Sequence, residues 1–229
     1  MTGAVDERAF QRAYRDALGA VTDNPQLAFR LPGSSDLLTL RGYLAACETL
    51  YVEVLALLRG QGEEAWPVRV HDAGGSFGVF GAALRSLAVG VVDDADGEAS
   101  VDLVVGLALH GQPSAEEIAS HGRRLSRPRG RLVLVVPSSR YWRVRLAELR
   151  GRRPPSDDGS LELGSPAYDR RQLEALLRRN GLRPELVRAL DYSPAALGGP
   201  LLQTVSSVAM RVVPRHREVW LALATRDST

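Results

Sequence analysis

The stretch Asp72-Ala73-Gly74-Gly75-Ser76-Phe77-Gly78 is the part of this chain best suited to hold a small ligand. Glycine reaches backbone conformations barred to other residues and lets the main chain approach a ligand closely. The run that follows reads as a helix, so its first N–H groups and its positive end would face the same place. An ordinary strand-to-helix turn would use the same residue types. The nicotinamide fingerprint G-x-G-x-x-G does not fit, because Ser stands at position 76 and Val at 79.

Other candidates are spread along the chain. Asp93 and Asp94 form an acidic pair 21 residues after Asp72, suited either to ligand hydroxyls or to a solvated turn. His110 ends a near-continuous apolar run, where a general base would face the crevice at the carboxyl ends of parallel strands. His71 lies within a strand and reads as a hydrogen-bonded core residue, whereas His121 and His216 read as surface. Tyr141, Trp142 and Tyr168 are aromatic candidates for a substrate lid or for packing a helix onto a sheet. Tyr14 and Tyr43 recur with Phe10 and Tyr51 at helical spacing, which suits an acceptor cap, a core or a dimer face. Cys47, the single cysteine, reads as a small buried hydrophobe. The scattered histidines and lone cysteine make no metal constellation, and neither G-x-S-x-G nor a P-loop is present.

These residues need a scaffold, and the bulk numbers supply one. The 229 residues are 45% hydrophobic and 24% charged, enough for one domain with a sizeable core and unlike a disordered chain. No apolar run reaches the length of a membrane span. MTGAVDERAF does not read as a signal peptide, so a cytoplasmic protein is expected. The sequence pI is near 9 with a net charge of only +2, and every basic residue is arginine. Acidic residues are interleaved with these arginines, which argues against a nucleic-acid partner.

Periodicity divides the chain in two. Residues 1–65 read as a helical extension without strands, with helices near 5–20 and 37–58. From Val68 the pattern becomes strand, helix, strand, strand, helix, strand: VRVHD, FGVFGAALRSLA, VGVVDD, VDLVVGLALH, SAEEIASHGRRLS and PRGRLVLVVP. This α/β alternation predicts a mostly parallel sheet with right-handed crossovers. YWRVRLAELRGRR, DRRQLEALLRRNG and a short stretch at 202–212 read as further helices. LRPELVRALDY and REVWLALAT read as closing strands.

The order and wording of residues 66–226 resemble the class I S-adenosylmethionine-dependent methyltransferases. The most telling block is VDLVVGLALHGQPSAEEIASHGRRLSRPRGRLVLVVPS, similar to the family's fourth strand, its following turn and helix, and its fifth strand. Tyr168 to Gly181 looks like the helix before the family's last strand pair. The glycine motif departs from D-x-G-x-G-x-G by Ser76 in place of the middle glycine. The resemblance implies a Rossmann-like three-layer sandwich over 66–229, with about six strands and 138–168 as a candidate substrate lid. It implies S-adenosylmethionine as cofactor, no metal and a small-molecule acceptor. Asp72, Gly74, Gly75, Ser76 and Gly78 would hold the cofactor, with Asp72 near its ammonium and Asp93 and Asp94 near its ribose. His110 or Tyr141 would assist catalysis. Trp142, Tyr168, Tyr14 and Tyr43 would meet the acceptor.

One departure is large. Only ADGEAS separates Asp94 from Val101, where the family fits a helix and a strand. A β-α unit on the order of 25 residues is therefore missing, and the adenosine side of the pocket is expected to be open. Lost adenine burial would cost a few kcal/mol of affinity, at roughly 25 cal/mol per Å². That departure keeps an alternative in view: an inactive relative serving as partner subunit or binding protein, either as a homodimer or with an active enzyme.

Overall fold

A computed structural model describes residues 6–24, 29–30, 37–59, 69–92, 99–109, 113–140, 166–190 and 219–227. In chain order the elements are α1 (Glu7–Gly19), β1 (Phe29–Arg30), β2 (Leu37–Leu38), α2 (Leu40–Arg59), β3 (Arg69–Asp72) and α3 (Val79–Ser86). There follow β4 (Gly90–Val91), β5 (Val101–Leu107), α4 (Ala115–Leu125), β6 (Ser126–Pro137), α5 (Arg170–Arg179), β7 (Leu182–Leu190) and β8 (Val219–Arg226). The proposed helices at 141–153 and 202–212 lie outside the described residues.

Six strands form one sheet in the order β4-β3-β5-β6-β8-β7. β4, β3, β5 and β6 run parallel, and β8 runs against both of its neighbours. Alternation along the strands builds two cores. Leu103, Val105, Leu107, Val133, Val135, Leu221 and Leu223 face one side, where they pack with α1, α2 and α3. Val104, Leu132, Leu134, Val136, Trp220 and Ala222 face the other, beneath α4 and α5. Helices, sheet and helices make the expected three-layer α/β sandwich. Gly106 shows how closely the second layer sits, since a Cβ there would stand 2.6 Å from Ile118 of α4.

Local sequence explains the helix ends. Asp6 accepts from the Ala9 N–H at 2.9 Å to cap α1. Ser114 with Glu117, and Asp169 with Gln172, form capping boxes on α4 and α5. Gly181, with φ of 68°, ends the α5 turn in the left-handed conformation that favours glycine.

Two expectations change. Residues 1–65 are not free of strands, because Phe29–Arg30 and Leu37–Leu38 pair antiparallel. Strands of two residues are too short to show an alternating pattern. Tyr14 and Tyr43 are wholly buried within the first core, so α1 and α2 are the layer that covers that face of the sheet. The other reading of the N-terminal aromatics, as core, is the one realised.

Candidate functional site

Chain direction fixes where a ligand can lie. β3 has β4 on one side and β5 on the other, so the connections leaving these strands diverge and open a crevice at their carboxyl ends. The glycine-rich turn sits at that point. It lines a cleft of about 300 Å³ with Asp72, Gly74, Gly75, Phe77, Gly78, Gly81, Arg85, Val91, Val92 and Pro113.

Two glycines meet different demands. Gly75, at φ of 88°, lies against β5, and a Cβ there would stand 2.7 Å from the Leu107 Cβ. Gly78, at φ of 83°, begins α3, and a Cβ there would meet nothing within 4 Å. It lines the cleft, so that Cβ would stand in ligand space. The first glycine seats the loop, and the second keeps the cleft open.

Asp72 organises the turn. Its Oδ1 accepts from the Gly74 N–H at 3.2 Å, and its Oδ2 accepts from the Ser76 hydroxyl. Gly81 of α3 lies beside this carboxylate, where a Cβ would stand 3.8 Å from the Asp72 Oδ2. Ser76, fully buried, accepts from the Gly78 N–H at 3.1 Å, and the Val79 N–H donates to the Ser76 carbonyl at 3.0 Å. The N–H groups of Gly78 and Val79, where α3 begins, are thus engaged from within the chain. Burial holds the Asp72 carboxyl above the usual carboxylate range, against the hydrogen bonds from Ser76 and Gly74 that draw it down.

The first layer braces this loop from below. The Tyr43 hydroxyl donates to the Gly75 carbonyl at 3.1 Å. The Tyr14 hydroxyl donates to the Leu44 carbonyl at 2.9 Å. Tyr51 stacks on Phe80 of α3, with ring centroids 4.2 Å apart. Burial raises the phenols of Tyr14 and Tyr51, each in the field of Asp72, so both stay protonated. Cys47 is buried, its thiol pushed up to about 12, which leaves it unreactive.

In structure the chain is similar to S-adenosylmethionine-dependent methyltransferases. One is magnesium protoporphyrin IX methyltransferase from Synechocystis PCC 6803 with bound S-adenosylhomocysteine, at 15% identity and a TM-score of 0.49, covering 94% of each chain. A second, from Thermotoga maritima, has 12% identity and a TM-score of 0.48, covering 82% of this chain and 93% of that one. A third is geranyl diphosphate methyltransferase, at 15% identity and a TM-score of 0.45, covering 82% and 80%. No family model and no curated protein matches the sequence.

The expected site residues fall into four groups. Asp72, Gly74, Gly75 and Gly78 line the cleft, and Ser76 lies buried directly beneath it. Tyr168 stands apart. Its backbone bridges Ser138 beyond β6, and its half-buried ring packs on the second core. Tyr14 and Tyr43 are buried under the loop and present no surface to an acceptor. Asp93, Asp94, His110, Tyr141 and Trp142 lie outside the described residues. His71 is the core residue expected, its Nδ1 2.8 Å from the Val92 carbonyl oxygen. His121 was expected at the surface, yet its ring centre is 6.4 Å from that of His71, because α4 turns it onto the sheet.

Sequence reading missed Phe77, Gly81, Arg85 and Pro113 as lining residues. Gly81 and Arg85 are four residues apart on α3, one helical turn on one face, and that spacing was the available signal. Among the described residues no group of three or more His, Cys, Asp or Glu can hold a metal ion. No described helix is long and apolar enough to cross a membrane.

Proposed function

We propose that the cleft beside Asp72 holds S-adenosylmethionine and that the chain transfers its methyl group to a small-molecule acceptor. The observation that carries this reading is the Asp72 carboxylate at the start of α3. A free helix N-terminus attracts phosphate. Here the Gly78 N–H is taken by the Ser76 hydroxyl oxygen and the Val79 N–H by the Ser76 carbonyl, and the Asp72 carboxylate lines the same cleft. That arrangement opposes a dinucleotide and suits a ligand that carries positive charge and no phosphate.

S-Adenosylmethionine fits these terms, since its ammonium and sulfonium are cationic and it has no phosphate. When bound it supplies an activated methyl group. The protein's task is then alignment rather than bond making. Gly74 and Gly75 form the wall toward β5, Gly78 leaves room at the start of α3, and Asp72 offers its carboxylate to the ammonium. Asp93 and Asp94 follow β4 and suit the ribose hydroxyls. His110 follows β5 and suits a general base for a hydroxyl acceptor, and Tyr141 and Trp142, which follow β6 in the chain, suit contact with an acceptor.

One observation favours a second reading, an inactive partner subunit or binding protein. β4 is a two-residue edge strand, and only residues 92–100 link it to β5, too few for a helix and another strand. The adenosine side therefore lacks one covering unit. Titration calorimetry with S-adenosylmethionine, S-adenosylhomocysteine and NAD tests both readings. Binding of the first two with none of NAD is expected. No binding at millimolar S-adenosylhomocysteine overturns the proposal. Binding without formation of S-adenosylhomocysteine from S-adenosylmethionine in a native metabolite extract favours the second reading.

A further inference from the structure

Phe77 is the residue in the cleft that the fold explains least. Its φ of 50° lies in the left-handed region, uncommon for a bulky side chain and strained when enforced. The residue is 50% exposed, the more exposed of the two large hydrophobic residues at the surface among those described. A turn needing only that backbone would be served better by glycine, as at Gly74, Gly75 and Gly78 on either side. Packing below does not require the ring either. Phe29 and Tyr43 already stack on each other at 4.9 Å with both rings buried, and Phe77 only adds an edge contact at 5.5 Å and 6.4 Å. That contact nevertheless props the ring in one place on the cleft wall, which it lines together with Asp72.

We propose that Phe77 is a cation-facing wall of the cleft and makes it prefer a sulfonium ligand over the neutral thioether left after methyl transfer. This rests on the reading of the cleft as an S-adenosylmethionine site. An aromatic face attracts a cation through its quadrupole, more strongly where water is partly excluded. Asp72 supplies formal negative charge at the base of the cleft, and Phe77 supplies a polarised, apolar surface at its mouth. The pair favours a positive ligand from two directions. Loss of that charge on methyl transfer then weakens the product's hold and helps it leave.

The test is calorimetry on the full chain, comparing wild type with Phe77→Leu and Phe77→Trp for S-adenosylmethionine and S-adenosylhomocysteine. Leucine keeps an apolar side chain on the same backbone but removes the aromatic face. The ratio of the two affinities is the readout, because damage to the loop lowers both together. Phe77→Leu is expected to lose roughly three- to tenfold in affinity for S-adenosylmethionine with little change for S-adenosylhomocysteine. Phe77→Trp is expected to keep or raise the wild-type preference, and it carries the test should the leucine variant fold poorly. An unchanged ratio in Phe77→Leu, or a preference abolished by Phe77→Trp, overturns the proposal. Failure of wild type to bind either ligand overturns the cofactor reading instead, and this inference with it.

Discussion

The two halves of the sheet are built differently. From β5 to β7 the strands are seven to twelve residues long, paired on both sides save at β7, and roofed by helices with complete capping boxes. From β3 to β4 they have four and two residues, and the glycine turn there holds its shape through a hydrogen-bonded carboxylate and φ values few residues adopt. The long half needs only packing and pairing to form. The short half carries a charge whose burial works against stability, which points to a use beyond folding.

The largest contrast is expected between two glycine-to-alanine changes. Gly75→Ala places a methyl group against Leu107 at a positive φ, with rigid backbone as the neighbour. Destabilisation of roughly 3 kcal/mol or more is expected, on the order of 6–12 °C in a thermal scan, with loss of ligand binding. Gly106→Ala presses on the Ile118 side chain, which can rotate, so about 1–3 kcal/mol is expected with binding retained. Equal effects on both properties would dissolve the contrast between the halves.

Asp72→Asn separates charge from shape. Asp72 has a raised pKa in the folded state, so the native chain binds its proton more tightly than the unfolded chain. Stability from this group is thus greatest at low pH and declines as pH rises through the raised value. Removing the charge should leave the neutral-pH melting temperature unchanged or slightly higher, while affinity for S-adenosylmethionine falls at least tenfold. Wild-type affinity should fall as pH drops through the same range, because protonation removes the attraction for a cation. Calorimetry between pH 4 and 8 checks this, and flat affinity would take Asp72 out of ligand binding.

The smallest effect belongs to the long half. Ser114→Ala breaks the α4 capping box, where Ser114 Oγ accepts from the Glu117 N–H at 3.2 Å. A loss of about 1 kcal/mol, roughly 2–4 °C, is expected without change in ligand affinity. A change in affinity would show that α4 reports on the cleft.

The same division decides what could be read from sequence. Val101–Pro137 is legible because continuous apolar strands and a capping box state their structure locally, although the turn expected at 128–130 is part of β6. Asp72 and its glycines are legible as a turn that can hold a ligand. The roles of Tyr14 and Tyr43 are not, because helical spacing of aromatics looks the same whether the face meets a ligand or a loop from below. Only the sheet shows that Tyr43 donates to Gly75. Phe77 was hidden for another reason, since a variable position inside a glycine motif gives no hint of its φ.

Hydrogen–deuterium exchange with and without S-adenosylhomocysteine compares both halves of the sheet in one sample and reports which of them meets the ligand. Slower exchange over residues 72–85 is expected on addition of ligand, with α4 and β6 unchanged. Protection confined to α4, α5 or β7, or no protection at saturating ligand, would contradict it.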